Sequence, residues 1–290
     1  LESGDLKIFQ AVVREGSITK AAAQLGYVQS NVTARIRQLE EKLQIPLFYR
    51  LNRGISLTSA GKNLAVYADR ILSQLDEAFI STRYSEHPNG PLTLGATDST
   101  AAAHLPDLLK PYLKSYPDVK LSLISGYSND LMNKVLNYHL DAAFINDPVN
   151  HPDLQQILVL EEELVLISEP VEAEPRQLLN KPFLFFGPRC IHRERMVQWL
   201  KEENVTSTNI MEFGSLDAII KGVSCGLGVS VQPKSSVKKL VEEGALHCYP
   251  IPEKYRKVKV CFIYRRDMFM TSAMKKFIEL LEVTFSLLMR

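Results

Sequence analysis

The chain has 290 residues, 46% of them apolar and 23% charged, with a formal net charge of +1. That length accommodates two or three domains, each with its own core. The near-neutral balance excludes wholesale coating of nucleic acid or membrane, though not a local basic patch. The sequence holds no apolar run long enough to span a bilayer. Its start, LESGDLKIFQ, lacks the basic and apolar pattern of a secretory signal, so a cytoplasmic location is expected. Cys190, Cys225, Cys248 and Cys261 are scattered, without a CxxC pair, and read as free thiols; no metal site is expected.

In chain order, Leu6, Phe9, Val12 and Val13 recur at helical spacing and stop at Gly16. Ser17 stands where an N-cap belongs, and Ala21, Ala22, Ala23 and Leu25 lead to Gly26, which suits the left-handed residue ending a helix. A further helix is predicted from Gln29, with Val32, Ile36, Leu39 and Leu43 forming one apolar stripe. Two helices joined by a short turn cross closely only over small residues. The alanines therefore predict a helix-turn-helix.

Opposite the stripe stand Gln29, Ser30, Asn31, Thr33, Arg35, Arg37 and Gln38. A recognition helix enters the major groove end-on, so base-edge readers belong on its first turns and phosphate contacts around them. Ser17 and Thr19, opening the helix before it, are further candidate contacts. The segment PLFYRLNRGISLT reads as a two-stranded wing turning at Asn52-Arg53-Gly54, with Arg50 and Arg53 as candidate phosphate or minor-groove contacts.

These pieces, LKIFQAVVREGSITKAAAQLGYVQSNVTARIRQLEEKL, PLFYR and LTSAGKNLAVYADRIL, resemble the winged helix-turn-helix and linker helix of the LysR-type transcriptional regulators. The family commonly has Ser where Val28 stands here. The start of the recognition helix must then be capped by Ser30 or by a backbone group.

From Thr58 to Tyr84 no proline occurs, and a rod of about 40 Å is predicted at 1.5 Å per residue. Leu64, Ala68, Ile71, Leu75 and Ala78 form a coiled-coil seam on it, whose expected partner is the same helix of a second copy. A two-fold dimer presents two recognition helices, so an inverted-repeat operator is expected; the resemblance implies that dimers pair into tetramers. The expected organisation is a winged helix-turn-helix over 1–58, a linker helix over 59–84, a hinge over 85–91 (SEHPNGP) and a regulatory domain over 92–290.

In that last part short β-rich runs alternate with helical ones near 102–115, 129–139, 192–203, 215–225, 234–243 and 272–289, which predicts parallel-rich sheets covered by helices. The resemblance implies an α/β multidomain chain whose C-terminal part is like a periplasmic binding protein. Its two subdomains are placed at about 92–163 with 267–290, and at about 164–266. A small-molecule effector is expected between them, lined by Ser99, Thr100, Ser128, Asn129, Asn146, Arg189, Cys190 and Ser215. Hydroxyls, amides and one arginine at helix starts suit an organic anion, against which Asp98 and Asp217 weigh. No cofactor is expected; RNA polymerase is an expected partner.

Three rival readings have less support. Cys190 occupies the place of the peroxide-reactive cysteine in a redox-sensing branch of this family, with Arg193 near, yet no second cysteine follows before Cys225. A solute-binding protein would lack the DNA module. An enzyme is disfavoured because GLGVS lacks the third glycine of a dinucleotide fingerprint and no GxSxG or HExxH occurs.

Overall fold

The computed structural model describes residues 1–51, 54–82, 87–171, 173–187, 189–205 and 209–286. Asn52 and Arg53 at the wing tip, the side chain of Arg50, and Ser85 and Glu86 of the expected hinge lie outside the described residues. The chain divides into two compact units, one of Leu1–Tyr84 and Asn137–His139, the other of Ser85–Leu136 and Leu140–Arg290.

The first unit runs α1 (Ser3–Glu15), α2 (Ile18–Leu25), α3 (Gln29–Leu43), β1 (Phe48–Leu51), β2 (Gly54–Leu57) and α4 (Ser59–Thr82). Gly16 and Gly26 close α1 and α2 with φ of 59° and 69°, and the Ser17 hydroxyl accepts from the Lys20 N–H at 3.4 Å. Ala21 and Ala22 are buried, and α3 inserts Val32, Ile36 and Leu39 beside them under Phe9 and Val12. The strands pair antiparallel from Phe48↔Leu57 to Leu51↔Gly54, the wing expected from the sequence.

Part of the seam expected on the long helix α4 is covered within the unit. Leu64 and Ala68 are spent within the unit: Ala68 is fully buried in the α1–α3 core, Leu64 packs against it, and the Gln10 amide donates to the Ala65 carbonyl at 2.7 Å. Of the expected seam, Ile71 stays exposed, Leu75 half-buried and Ala78 exposed, and Tyr67 and Val66 are exposed beside them.

The second unit begins with β3 (Gly90–Ala96), so Gly90 and Pro91, expected in the hinge, open a strand. There follow α5 (Asp98–Ala103), α6 (Leu105–Ser115), β4 (Val119–Ser125), α7 (Ser128–Leu136), β5 (Ala142–Asn146) and the long β6 (Leu154–Ser168). Then come α8 (Pro175–Leu178), β7 (Phe183–Phe185), α9 (Ile191–Glu202), β8 (Ile210–Glu212), α10 (Leu216–Ser224), β9 (Ser230–Pro233) and α11 (Lys234–Glu242). The chain closes with β10 (His247–Pro250), α12 (Glu253–Arg256), β11 (Lys257–Arg265) and α13 (Ser272–Ser286). The single helix expected near 102–115 is broken at His104 because Pro106 must begin a new helix rather than continue one.

The sheet order is β10-β6-β11-β5-β3-β4, with β9 also on β6, and β7 pairs with β8. Neighbours β3–β4, β3–β5 and β7–β8 are parallel, whereas every pairing of β6 and β11 is antiparallel. The unit is therefore mixed rather than parallel-rich. Strand β6 serves both subdomains: Leu154 to Glu163 pair with β11, and Leu164 to Ser168 with β9 and β10. Strand β11 belongs mainly to the first subdomain, since Val260 and Phe262 pack with Phe144 and Phe277 and the Phe144 and Phe262 rings lie 4.8 Å apart. The start of β11 still packs with the second subdomain through Val258, while Val260 and Phe262 lie in the first, so the chain crosses between them within β11, earlier than the expected position near 266. The core of the second subdomain gathers Leu164, Phe183, Phe185, Trp199 and Val231.

Candidate functional site

In the first unit, α3 starts without a side-chain cap. Its N-cap is Val28, and the Val28 carbonyl takes the Asn31 N–H at 3.0 Å, so a backbone group opens the helix and Ser30 does not. Gln29, Ser30 and Asn31 are exposed on this first turn, beside Thr19 on α2 and next to Tyr27 and Val28, which are exposed despite their apolar bodies. Exposed amides on a helix tip that has no side-chain cap suit phosphate and base edges together. Thr33 is half-buried and donates to the Gln29 carbonyl at 2.9 Å, and Ser17 is half-buried at its cap. Arg37 is exposed, with no ion-pair partner among the described residues.

Arg35 differs from Arg37. Its guanidinium donates to Asp5 at 2.8 Å, and Lys42 reaches the same carboxylate at 3.5 Å. Burial alone would push Asp5 up, yet Arg35, the Glu2 backbone N–H and Lys42 together hold it below the usual carboxylate range. Arg35 thus ties α3 to α1 and holds the recognition helix in place, a partnership that the expected phosphate contact did not include. Glu40 has a matching role: its carboxylate accepts the Leu47 and Phe48 N–H groups at 2.7 and 3.2 Å and seats the wing. Neither partnership is visible in a one-dimensional pattern.

In the second unit a cleft of about 110 Å³ lies where the two subdomains meet. Ser99, Ser128, Asn129, Asn146, Arg189 and Cys190 line it, as expected. Thr100 and Ser215 do not. The Thr100 hydroxyl is buried against that of Thr97 at 2.9 Å, and Ser215 is an exposed cap accepting from Ala218 at 3.2 Å. The first subdomain supplies the starts of α5 and α7, with the Ser128 hydroxyl accepting the Asn146 backbone N–H at 3.0 Å. The second supplies the start of α9. Sequence reasoning missed Tyr127, His192, Glu194 and Gln232, which also line the cleft.

Arg189 is spoken for: it donates to Asp130 at 2.6 Å and lies 5.1 Å from the centre of the Tyr127 ring. His192 is buried, and burial followed by the Arg195 charge pulls it down to about 4, so the ring is neutral at physiological pH. The Asn146 amide lies 3.5 Å from it, and Arg195 of α9 meets Asp147 at 2.6 Å and the Lys257 carbonyl. These contacts join the two subdomains beside the cleft.

The Cys190 thiol is only 9% exposed, and burial pushes it up; the backbone N–H groups of Arg193 and His192 and the Arg193 charge pull the other way without reversing the shift. Arg193 is occupied by Glu212 at 2.6 Å. A thiol held protonated is a poor peroxide target. Mild peroxide is accordingly expected to leave operator binding unchanged, with a sulfenic-acid probe labelling exposed Cys225 ahead of Cys190. Labelling of Cys190 together with altered DNA binding would restore the redox reading.

Comparison with known proteins covers both units. The family model described as "Bacterial regulatory helix-turn-helix protein, lysR family" matches residues 3–62, and "LysR substrate binding domain" matches residues 85–285. The HTH-type transcriptional regulator YofA of Bacillus subtilis (strain 168) is 48% identical over 279 residues, covering 96% of this chain and 98% of that one. HTH-type transcriptional regulator CzcR of Bacillus anthracis is 41% identical over 282 residues, with 97% of both chains covered. Among solved structures, full-length CbnR complexed with its target DNA superposes with a TM-score of 0.71 at 21% identity, over 98% of this chain and 100% of that one. A full-length OxyR variant from Pseudomonas aeruginosa does so with 0.72 at 21% identity, over 99% and 95%. The chain belongs to the LysR family of transcriptional regulators, with a DNA-binding head in its first unit and an effector-binding domain in its second.

Proposed function

We propose that the regulator works in the cytoplasm as a homodimer, itself able to pair into a tetramer. It grips an inverted-repeat operator with two copies of α3 and answers to a small molecule held between the subdomains of its second unit. The observation that carries the dimer is the apolar surface left on α4: Tyr67 is 60% and Ile71 37% exposed after Leu64 and Ala68 have gone to the unit's own core. The seam is thus shifted from the one read in the sequence but lies on the same rod.

Ligand binding changes the closure of the two subdomains across the Arg195–Asp147 and His192–Asn146 contacts. In the dimer that closure resets the spacing of the two heads and the bend of the DNA, and with it access for RNA polymerase.

The test is the double variant Tyr67→Glu, Ile71→Glu, since paired carboxylates across a two-fold seam repel. Sedimentation should report a monomer, and affinity for a two-half-site duplex should fall to that for a single half-site. A variant that remains dimeric with full operator affinity would place the interface elsewhere.

A further inference from the structure

We infer that the cleft takes a small molecule with a cationic, N–H-donating head, an amine rather than an organic acid. This rests on the reading of the cleft as the effector site and narrows it to a ligand class.

The first observation is Gln232 of β9, which lines the cleft and is 1% exposed. The Ser230 hydroxyl has a single hydrogen, and it goes to the Leu184 carbonyl at 2.6 Å. Ser230 must therefore accept from the Gln232 amide nitrogen, 2.9 Å away, which fixes the orientation of the amide. Among the described residues, no donor reaches the buried Gln232 Oε1. A buried acceptor in that state calls for a partner, and a ligand N–H supplies one.

The second observation is charge. Three helices start around the cleft, and each carries its own carboxylate in the first turn: Asp98 on α5, Asp130 on α7 and Glu194 on α9. The helix ends that would attract an anion are thus already answered from within the chain. Arg189 is the one cation lining the cleft among the described residues, and Asp130 already pairs with it. Asp98 and Glu194 line the same cleft with no cation paired to either among the described residues. Burial also raises Asp98, the direction expected of a carboxylate short of a positive partner. An incoming acid would have to share Arg189 with Asp130 and sit near Asp98 and Glu194, whereas an amine meets those carboxylates and the Gln232 oxygen as acceptors lining one cleft.

The test uses four probes with one apolar body suited to Tyr127, Phe186 and Ile191: benzylamine, benzyltrimethylammonium, benzyl alcohol and benzoate. Calorimetric titration of the full-length protein should rank benzylamine at least tenfold tighter than each of the others. Asp98→Asn, a near-isosteric change, and Gln232→Met should each weaken it about tenfold. Asn129→Trp, at an exposed position of the cleft wall, should abolish it by filling the space.

Equal binding of benzyltrimethylammonium would overturn the N–H donor, and equal binding of benzyl alcohol would overturn the charge. Benzoate binding tightest, and lost in Asn129→Trp, would overturn the amine while leaving the cleft as the effector site. Absence of binding by all four, or binding indifferent to Asn129→Trp, would remove both.

Discussion

Replacing Gly61 by alanine is expected to destabilise the DNA-binding unit by about 2–3 kcal/mol, although alanine is the better helix former. Gly61 sits in the first turn of α4, where its N–H donates to the Thr58 hydroxyl at 3.0 Å. Thr58 donates in turn to the Pro46 carbonyl at 2.8 Å, so the helix start is bound to the chain entering the wing. A Cβ on Gly61 would fall 2.2 Å from the Leu47 carbonyl oxygen and 2.8 Å from a Leu57 methyl. Leu57 can turn aside, but the Leu47 backbone carbonyl, which accepts the Thr58 N–H at 3.0 Å just before β1, cannot. The helix and the wing must then part, and Leu47, 1% exposed, loses its packing with them. Gly4→Ala in α1 is the control, since nothing lies within 4 Å of its Cβ, and it should be neutral or stabilising by up to about 1 kcal/mol. Thermal unfolding of the two variants checks the pair; an unchanged midpoint for Gly61→Ala would mean that α4 and the wing are not in contact in solution.

How much of this was legible in the sequence differs between the units, for a physical reason. The head is built from contacts close in sequence. Gly16, Ser17 and Gly26 punctuate its helices, and the buried Ala21 and Ala22 announce the tight crossing. What escaped there is long-range, such as the Asp5–Arg35 clasp across 30 positions, which reads as two ordinary surface charges. In the second unit, strand-to-helix turns revealed six wall residues. The direction of β11 and the double duty of β6 depend on a chain that leaves one subdomain and returns, which local alternation does not encode. A 15-residue strand is far longer than the ordinary 5–6, and that length was a readable hint. Gln232 offered another: an amide within the apolar run GVSVQP is either an error of register or a buried group with a task.

The largest effect on recognition should come from Gln29→Ala with Asn31→Ala. Both side chains are exposed on the first turn of α3, while the stripe that holds the helix, Val32, Ile36 and Leu39, is at most 3% exposed. Their removal therefore leaves stability within about 0.5 kcal/mol, as for surface changes away from packing. A side chain paired to a base edge is worth about 1–3 kcal/mol of discrimination, so losing two should erode preference for the operator by tenfold or more each. Arg37→Ala, by contrast, should weaken all duplexes alike and reduce the salt slope by about one.

The deciding measurement is the ratio of affinities for operator and scrambled duplex, taken at fixed salt for the wild type and the double variant. A ratio that collapses with an unchanged melting temperature is the expected result. A ratio that survives would mean that the front of α3 does not read the DNA.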